Sequence, residues 1–180
     1  MPLKNTQDSY GFLAKFFHWL LFLMLVGAII AGNINEGLPD GPEKYEAITL
    51  HKAFGSLILL LVLVRLGWKL ANPTPAPAIG VSASQHKLGT AMHWLLYVLM
   101  LAQPISGVLM SQSAGYPVSF FGLFDLPTIL AKDKAVMGIF HTAHGVIWIA
   151  LVIAALGHIG AALHHHFKLK DKTLTRMLKG

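Results

Sequence analysis

The stretch VMGIFHTAHGVIWIALVIAALGHIGAAL, Val136 to Leu163, decides how the rest of the chain is read. It exceeds the roughly 20 helical residues that cross about 30 Å of hydrocarbon. Its ionisable members are all histidines, His141, His144 and His158. At about 1.5 Å and 100° per residue, His144 and His158 stand about 21 Å apart along a helix and within about 40° of one face. His141 competes with His144, but its offset from His158 is about 100°. A lone histidine in such a span is readily explained by a hydrogen bond to a neighbouring helix. Two in register at two depths are costly to bury, and they point to two metal centres sharing one helix.

Composition agrees with membrane embedding. Of 180 residues, 54% are hydrophobic and only 12% charged, which fits a soluble globular domain poorly. There is no cysteine, which excludes Cys-ligated iron–sulfur clusters, thioether-linked haem and disulfides. Any redox centre must be held by His or Met, or bound without a covalent link, and the chain has ten histidines. The net charge of +6 reads as orientation across a bilayer rather than affinity for nucleic acid, since no phosphate loop, zinc-finger spacing or basic-aromatic surface accompanies it.

Working outward, three more apolar runs precede this one, so the expected helices cover about 12–31, 47–70, 88–110 and 136–163. The first contains Lys15 and His18; a cleaved signal peptide is the competing reading, since Ala28 to Gly32 is rich in small residues, but the run is longer than a signal core. NINEGLPDGPEKYE, 33–46, reads as a turn-rich acidic loop. NPTPAPA, 72–78, cannot be helical, because alternate prolines fix an extended path. Pro104 predicts a kink in the third span. Residues 111–133 form the longest loop, rich in aromatics, lying on the membrane surface or over a cofactor edge.

Lys and Arg distribution orients the bundle. Lys4, Lys15, Arg65, Lys69, Lys87, Lys168, Lys170, Lys172, Arg176 and Lys179 fall on one side, against Lys44, Lys52, Lys132 and Lys134 on the other. The positive-inside rule then places both termini in the cytoplasm. The expected fold is an all-α membrane protein, a four-helix up-and-down bundle. His18 and His158 share the cytoplasmic layer, while His51 and His144 share the outer one. The arrangement expected is two haems, each held by two imidazoles, with the fourth helix ligating both irons.

His93 belongs by depth to the cytoplasmic layer, as a rival to His18 or a partner of a haem propionate. His86 reads as a loop residue, and the methionines as apolar packing. Arg65 and Lys52 are candidate propionate partners, one per layer; alternatively Arg65 snorkels to headgroups and Lys52 is simply exposed. His164, His165 and His166 end the last helix, where a polar interfacial end or an adventitious metal site is the plainer reading. His165, seven residues after His158, lies within about 20° of the same face, where a quinone head group would meet it. Lys132 and Lys134 would attract an anion or form a solvated turn.

The chain resembles the small bacterial cytochrome b561 proteins of the inner membrane. The likeness is carried by FFHWL at His18, ITLHKAFGSLILLLVLVRL at His51 followed by NPTP, HWLLYVLMLAQPISGVLM, HTAHG, LGHIGAALHHHF and KDKTLTRML. The long outer loop matches least. The resemblance implies two haem b groups, ligated by His18 with His158 and by His51 with His144, and His165 near a quinone head group. It also implies a superoxide oxidase, in which superoxide reduces the outer haem and ubiquinone accepts the electrons on the cytoplasmic side. Phe16 stands where the family can carry a small polar residue. Two other functions share the pattern: a cytochrome subunit serving a hydrogenase or dehydrogenase, and a His-lined metal-ion carrier. The compact length favours a protein that acts without a partner.

Overall fold

A computed structural model describes residues 2–179. Four long helices, α1 (Phe12–Gly37), α2 (Pro42–Ala71), α3 (Ala83–Ser113) and α4 (Lys134–His164), are each long and apolar enough to cross a membrane. The fold is the expected mostly helical four-span protein. A π-helical turn at His165–Leu169 extends α4, a two-stranded hairpin, β1 (Ser119–Phe120) and β2 (Phe124–Asp125), sits in the long loop, which begins at residue 114 rather than at the expected 111 because α3 runs on to Ser113, and α5 (Thr175–Leu178) ends the described chain.

Local chemistry lengthens the helices beyond their apolar runs. Nothing breaks α1 until Pro39 forces Leu38 into an extended conformation, φ −74° and ψ 140°. The expected 33–46 loop therefore shrinks to residues 38–41, and α2 opens at Pro42, whose missing N–H costs nothing at a helix start. Polar residues on the extension are satisfied locally: Asn33 Nδ2 donates to the Ile29 carbonyl (2.8 Å) and Asn35 Nδ2 to the Ala47 carbonyl of α2 (3.3 Å). In α3, Ser82 and Gln85 form a reciprocal capping box. The helix thus starts at Ala83, five residues before the apolar run, and His86 lies in its exposed first turn rather than in a loop. Asp133 caps α4 by accepting from the Ala135 and Val136 N–H groups (2.8 and 3.0 Å).

Packing runs in chain order, with α1 on α2, α2 on α3 and, most extensively, α3 on α4. Leu21, Ile58, Val62, Tyr97, Met100 and Leu151 form the buried core at mid-bundle. Outward faces carry Leu23, Ile30, Leu60, Leu63, Val98, Ile149, Ile153 and Leu156 exposed, as a lipid-facing surface requires. The end of the bundle that holds the chain termini is closed by three segments. Asn5 Nδ2 donates to the Pro73 carbonyl (2.9 Å), the Ala76 N–H to the Gln7 carbonyl (2.8 Å), and Arg176 Nη1 to the Ala76 carbonyl (2.6 Å). The proline connection, extended as expected, is thereby clasped between the N-terminal segment and the tail.

Candidate functional site

Two groups of histidines lie at different depths along α4. In the first, His144 is half-buried against α3, while His141 points outward and is exposed. Gly107 makes the approach possible, since a Cβ there would stand 3.1 Å from His144 Cε1. Ser106 Oγ donates to the Gln103 carbonyl (2.7 Å) and lies 3.0 Å from His144 Nδ1, which is itself 3.1 Å from that carbonyl. With the hydroxyl proton already committed, Nδ1 must be the donor. The lone pair then sits on Nε2, where the Gln103 amide nitrogen donates to it at 3.0 Å. This tautomer, with one ring nitrogen held by a backbone carbonyl, is the one a metal-ligating histidine uses.

His51, in the first third of α2, has its Nδ1 enclosed without a hydrogen-bond partner among the described residues. Gly32 of α1 comes close to its ring, with a Cβ position 3.5 Å from His51 Cε1. Lys52, beside it, donates to the Pro117 carbonyl (3.0 Å) and lies 3.4 Å from Ser111 Oγ, so its ammonium ties the long loop down onto α2.

The second group brings three helices together. The ring centres of His18 on α1 and His158 on α4 are 6.1 Å apart, and those of His93 on α3 and His158 are 5.3 Å apart. Arg65 Nη2 donates to His18 Nδ1 (3.1 Å), and its guanidinium lies over the Tyr97 ring, 5.6 Å from the centroid. Lys69 approaches Trp94 and Tyr97 in the same way, at 5.5 and 5.8 Å.

These residues fit haem. Metal–imidazole bonds of about 2 Å on either side of an iron put the two ring centres roughly 6 Å apart, and His18 and His158 have that separation. The enclosed, unbonded nitrogen of His51 fits a ligand better than a histidine bonded to a neighbouring helix, and His144 already presents an Nε2 lone pair. No cluster of three or more His, Cys, Asp or Glu suited to a bare metal ion occurs among the described residues.

Beyond α4, the π-helical turn ends at Lys170, whose left-handed conformation (φ 55°) reverses the chain. Asp171 thereby returns to His165, accepting from Nδ1 at 2.5 Å, and also accepts from the Thr173 N–H at 2.8 Å. Burial raises the proton affinity of the carboxyl, but the hydrogen bonds from His165 and Thr173 outweigh it and hold Asp171 below its ordinary value of 3.8. His164 is exposed, and His166 packs edge-on against Phe167. Lys132 and Lys134 are exposed, the stem of Lys132 crossing Gly115, whose φ of +89° suits only glycine.

Gln103, Ser106 and Asp171 escaped the reading of the sequence. The first two lie beside Pro104 and Gly107 in QPISG, where a glycine one turn after a proline in an apolar span is the signal that could have pointed to a close approach. Asp171 is one of only two acids near the termini, Asp8 being the other.

The comparisons agree along the whole chain. The chain is 35% identical to cytochrome b561 homolog 2 of Escherichia coli (strain K12), covering 99% of this chain and 95% of that protein. It is 30% identical to cytochrome b561 homolog 1 of the same organism, over 91% and 93%. To the probable superoxide oxidase CybB of Yersinia pestis it is 31% identical, over 96% and 97%. With the family model for prokaryotic cytochrome b561 matching residues 9–180, the chain belongs to that family of haem b-binding, membrane-embedded electron-transfer proteins.

Proposed function

We propose that this chain is a superoxide:ubiquinone oxidoreductase of the bacterial inner membrane, with both termini in the cytoplasm. His51 and His144 would hold a haem b near the outer face, and His18 and His158 a second near the cytoplasmic face. Haem b supplies a one-electron centre, and ligation by two imidazoles leaves no open coordination position. The observation that carries the reading is the division of the histidines along α4, His144 seated on Gln103 and Ser106 at one depth and His158 facing His18 at the other. Likeness to a relative named a probable superoxide oxidase supports the choice of substrate.

The chain's own groups account for the rest. Exposed Lys132 and Lys134 create a positive field that draws in the superoxide anion, and Lys52 holds the loop that carries the approach. Two superoxide ions lose one electron each and leave as two molecules of dioxygen. Ubiquinone gains both electrons and two protons from the cytoplasm and leaves as the quinol. His165 is suited to hand on those protons: Asp171 binds Nδ1, which leaves Nε2 to face the quinone oxygen.

Rapid mixing of the purified protein with superoxide tests the proposal. The reduced α-band should appear faster than spontaneous dismutation and fade on addition of ubiquinone. A coloured protein that superoxide does not reduce would instead be a carrier for a hydrogenase or dehydrogenase partner. A colourless one would return the histidines to metal-ion transport.

A further inference from the structure

Lys15 opens α1 three residues before His18, about 4.5 Å further toward the helix start and within about 60° of the same face. Lysines at such a position ordinarily extend their ammonium to the headgroups. Lys15 does not: it is 6% exposed, and its Nζ is enclosed with no hydrogen-bond partner among the described residues. The N-terminal segment packs on Gly11, one turn earlier on this face, so closely that a Cβ at Gly11 would strike the Leu3 and Lys4 backbone. Phe12 N–H donating to the Pro2 carbonyl (2.9 Å) and Gly11 N–H to Asn5 Oδ1 (2.9 Å) fix that segment at the start of the helix. Trp68, in the last turns of α2 at the same end, has a second enclosed donor, Nε1, without a partner among the described residues.

An enclosed ammonium costs several kcal/mol unless an anion meets it. Among the described residues no carboxylate meets it. Asp8 is exposed, and Asp171 is engaged by His165 and Thr173; the other six acids lie on the opposite side of the bundle or in the loops there. Resting on the proposed ligation by His18, we propose that Lys15 is the counter-charge for a propionate carboxylate of the haem held by His18 and His158. Arg65, on His18 itself, and Lys15 would then receive that haem from two sides. The N-terminal segment would serve as the lid that keeps the carboxylate and ammonium dry.

The test is Lys15→Met in the full-length haem-loaded protein, with Lys15→Arg as the charge-conserving control. Haem per protein and the two midpoint potentials are read by optical redox titration in uncharged detergent. Loss of a nearby positive charge disfavours the reduced centre. Lys15→Met should therefore either lose one of the two haems or shift one reduction equilibrium severalfold toward the oxidised form, the other centre being unchanged, and Lys15→Arg should restore it. Retention of both haems with both potentials unchanged would overturn the proposal, as would a shift seen only with added anionic phospholipid, which would assign Lys15 to a lipid phosphate. Should Lys15→Met fail to accumulate, the same change in a His158→Ala background decides. There it should be tolerated, because its partner is gone, and equal damage in both backgrounds would again overturn the proposal. Failure of the underlying ligation shows separately, as a His158→Ala protein that keeps two haems.

Discussion

The two ends of α4 prepare their histidines in opposite ways. His144 is set by neutral groups, Gln103 and Ser106, that fix the proton on Nδ1 and leave Nε2 as a lone pair. His18, facing His158, is held by a cation. An arginine only donates, so Nδ1 of His18 must accept and the proton must sit on Nε2. A neutral imidazole has one lone pair, so His18 cannot bind Arg65 through one nitrogen and an iron through the other. One end is therefore arranged for a metal by exchange of a single amide hydrogen bond. The other must change tautomer and release its arginine, which then becomes available to a carboxylate.

The largest effect expected follows from removing the imidazole at each end. His144→Ala and His158→Ala should each lose one haem, halving the haem-to-protein ratio measured by pyridine haemochrome against protein mass. The contrast between the ends should show in what remains. His93, whose ring centre lies 5.3 Å from that of His158, is a second imidazole at that depth, whereas His141 is exposed. His18→Ala should accordingly retain more haem than His51→Ala. Two haems in both α4 variants would break the ligand assignment, and equal losses in the α1 and α2 variants would remove the asymmetry.

How far the sequence foretold this depends on the range over which each feature is encoded. Four spans are legible because a hydrophobic run is a local property, and the depth of each histidine follows from helix rise. Helix ends were misjudged where polar residues continued a helix, as at Asn33 to Gly37, because hydropathy measures lipid and not backbone geometry. The Ser82 and Gln85 capping box was visible in SASQ and set the start of α3 better than its apolar content did. Contacts made by chain reversal were beyond reach: nothing local tells that Lys170 turns left-handed and returns Asp171 to His165, or that the N-terminal segment folds back onto Gly11.

Arg65 supplies the next test, of intermediate size. Arg65→Met removes both the competitor for His18 and a positive charge beside the haem that His18 is proposed to hold, two effects with different signatures. Loss of a unit charge within about 8 Å at an effective dielectric near 20 is worth roughly 2 kcal/mol, or about 90 mV for a one-electron couple. Redox titration should find one centre lowered by an amount of that order and the other unmoved. Haem uptake by freshly made apoprotein should be faster in the variant, because His18 no longer has to shed a donor. A lowered potential with unchanged uptake would mean that Arg65 leaves His18 without cost, and the two ends would then be equally prepared.

The smallest effect belongs to the turn beyond α4, and there pH separates structure from proton transfer. Asp171 has its carboxyl held below the ordinary 3.8 by the hydrogen bonds from His165 and Thr173. A depressed folded-state value means the ionised form stabilises the fold, fully so above the unfolded value and progressively less as pH falls through the folded one. Two charge-assisted hydrogen bonds of this kind contribute roughly 1.5–3 kcal/mol each before compensation. Asp171→Asn, which keeps the shape and one acceptor, should lower the thermal midpoint by a few degrees at neutral pH, and the deficit should close below about pH 4. Quinone reduction carries the functional half of the prediction. Without the carboxylate, His165 loses the partner that orients its ring, so quinol formation should slow about tenfold. Superoxide should still reduce the haem near His144 at the rate of the unaltered protein. A variant equally slow in both half-reactions would mean that Asp171 only supports the fold, and the turn would carry no protons.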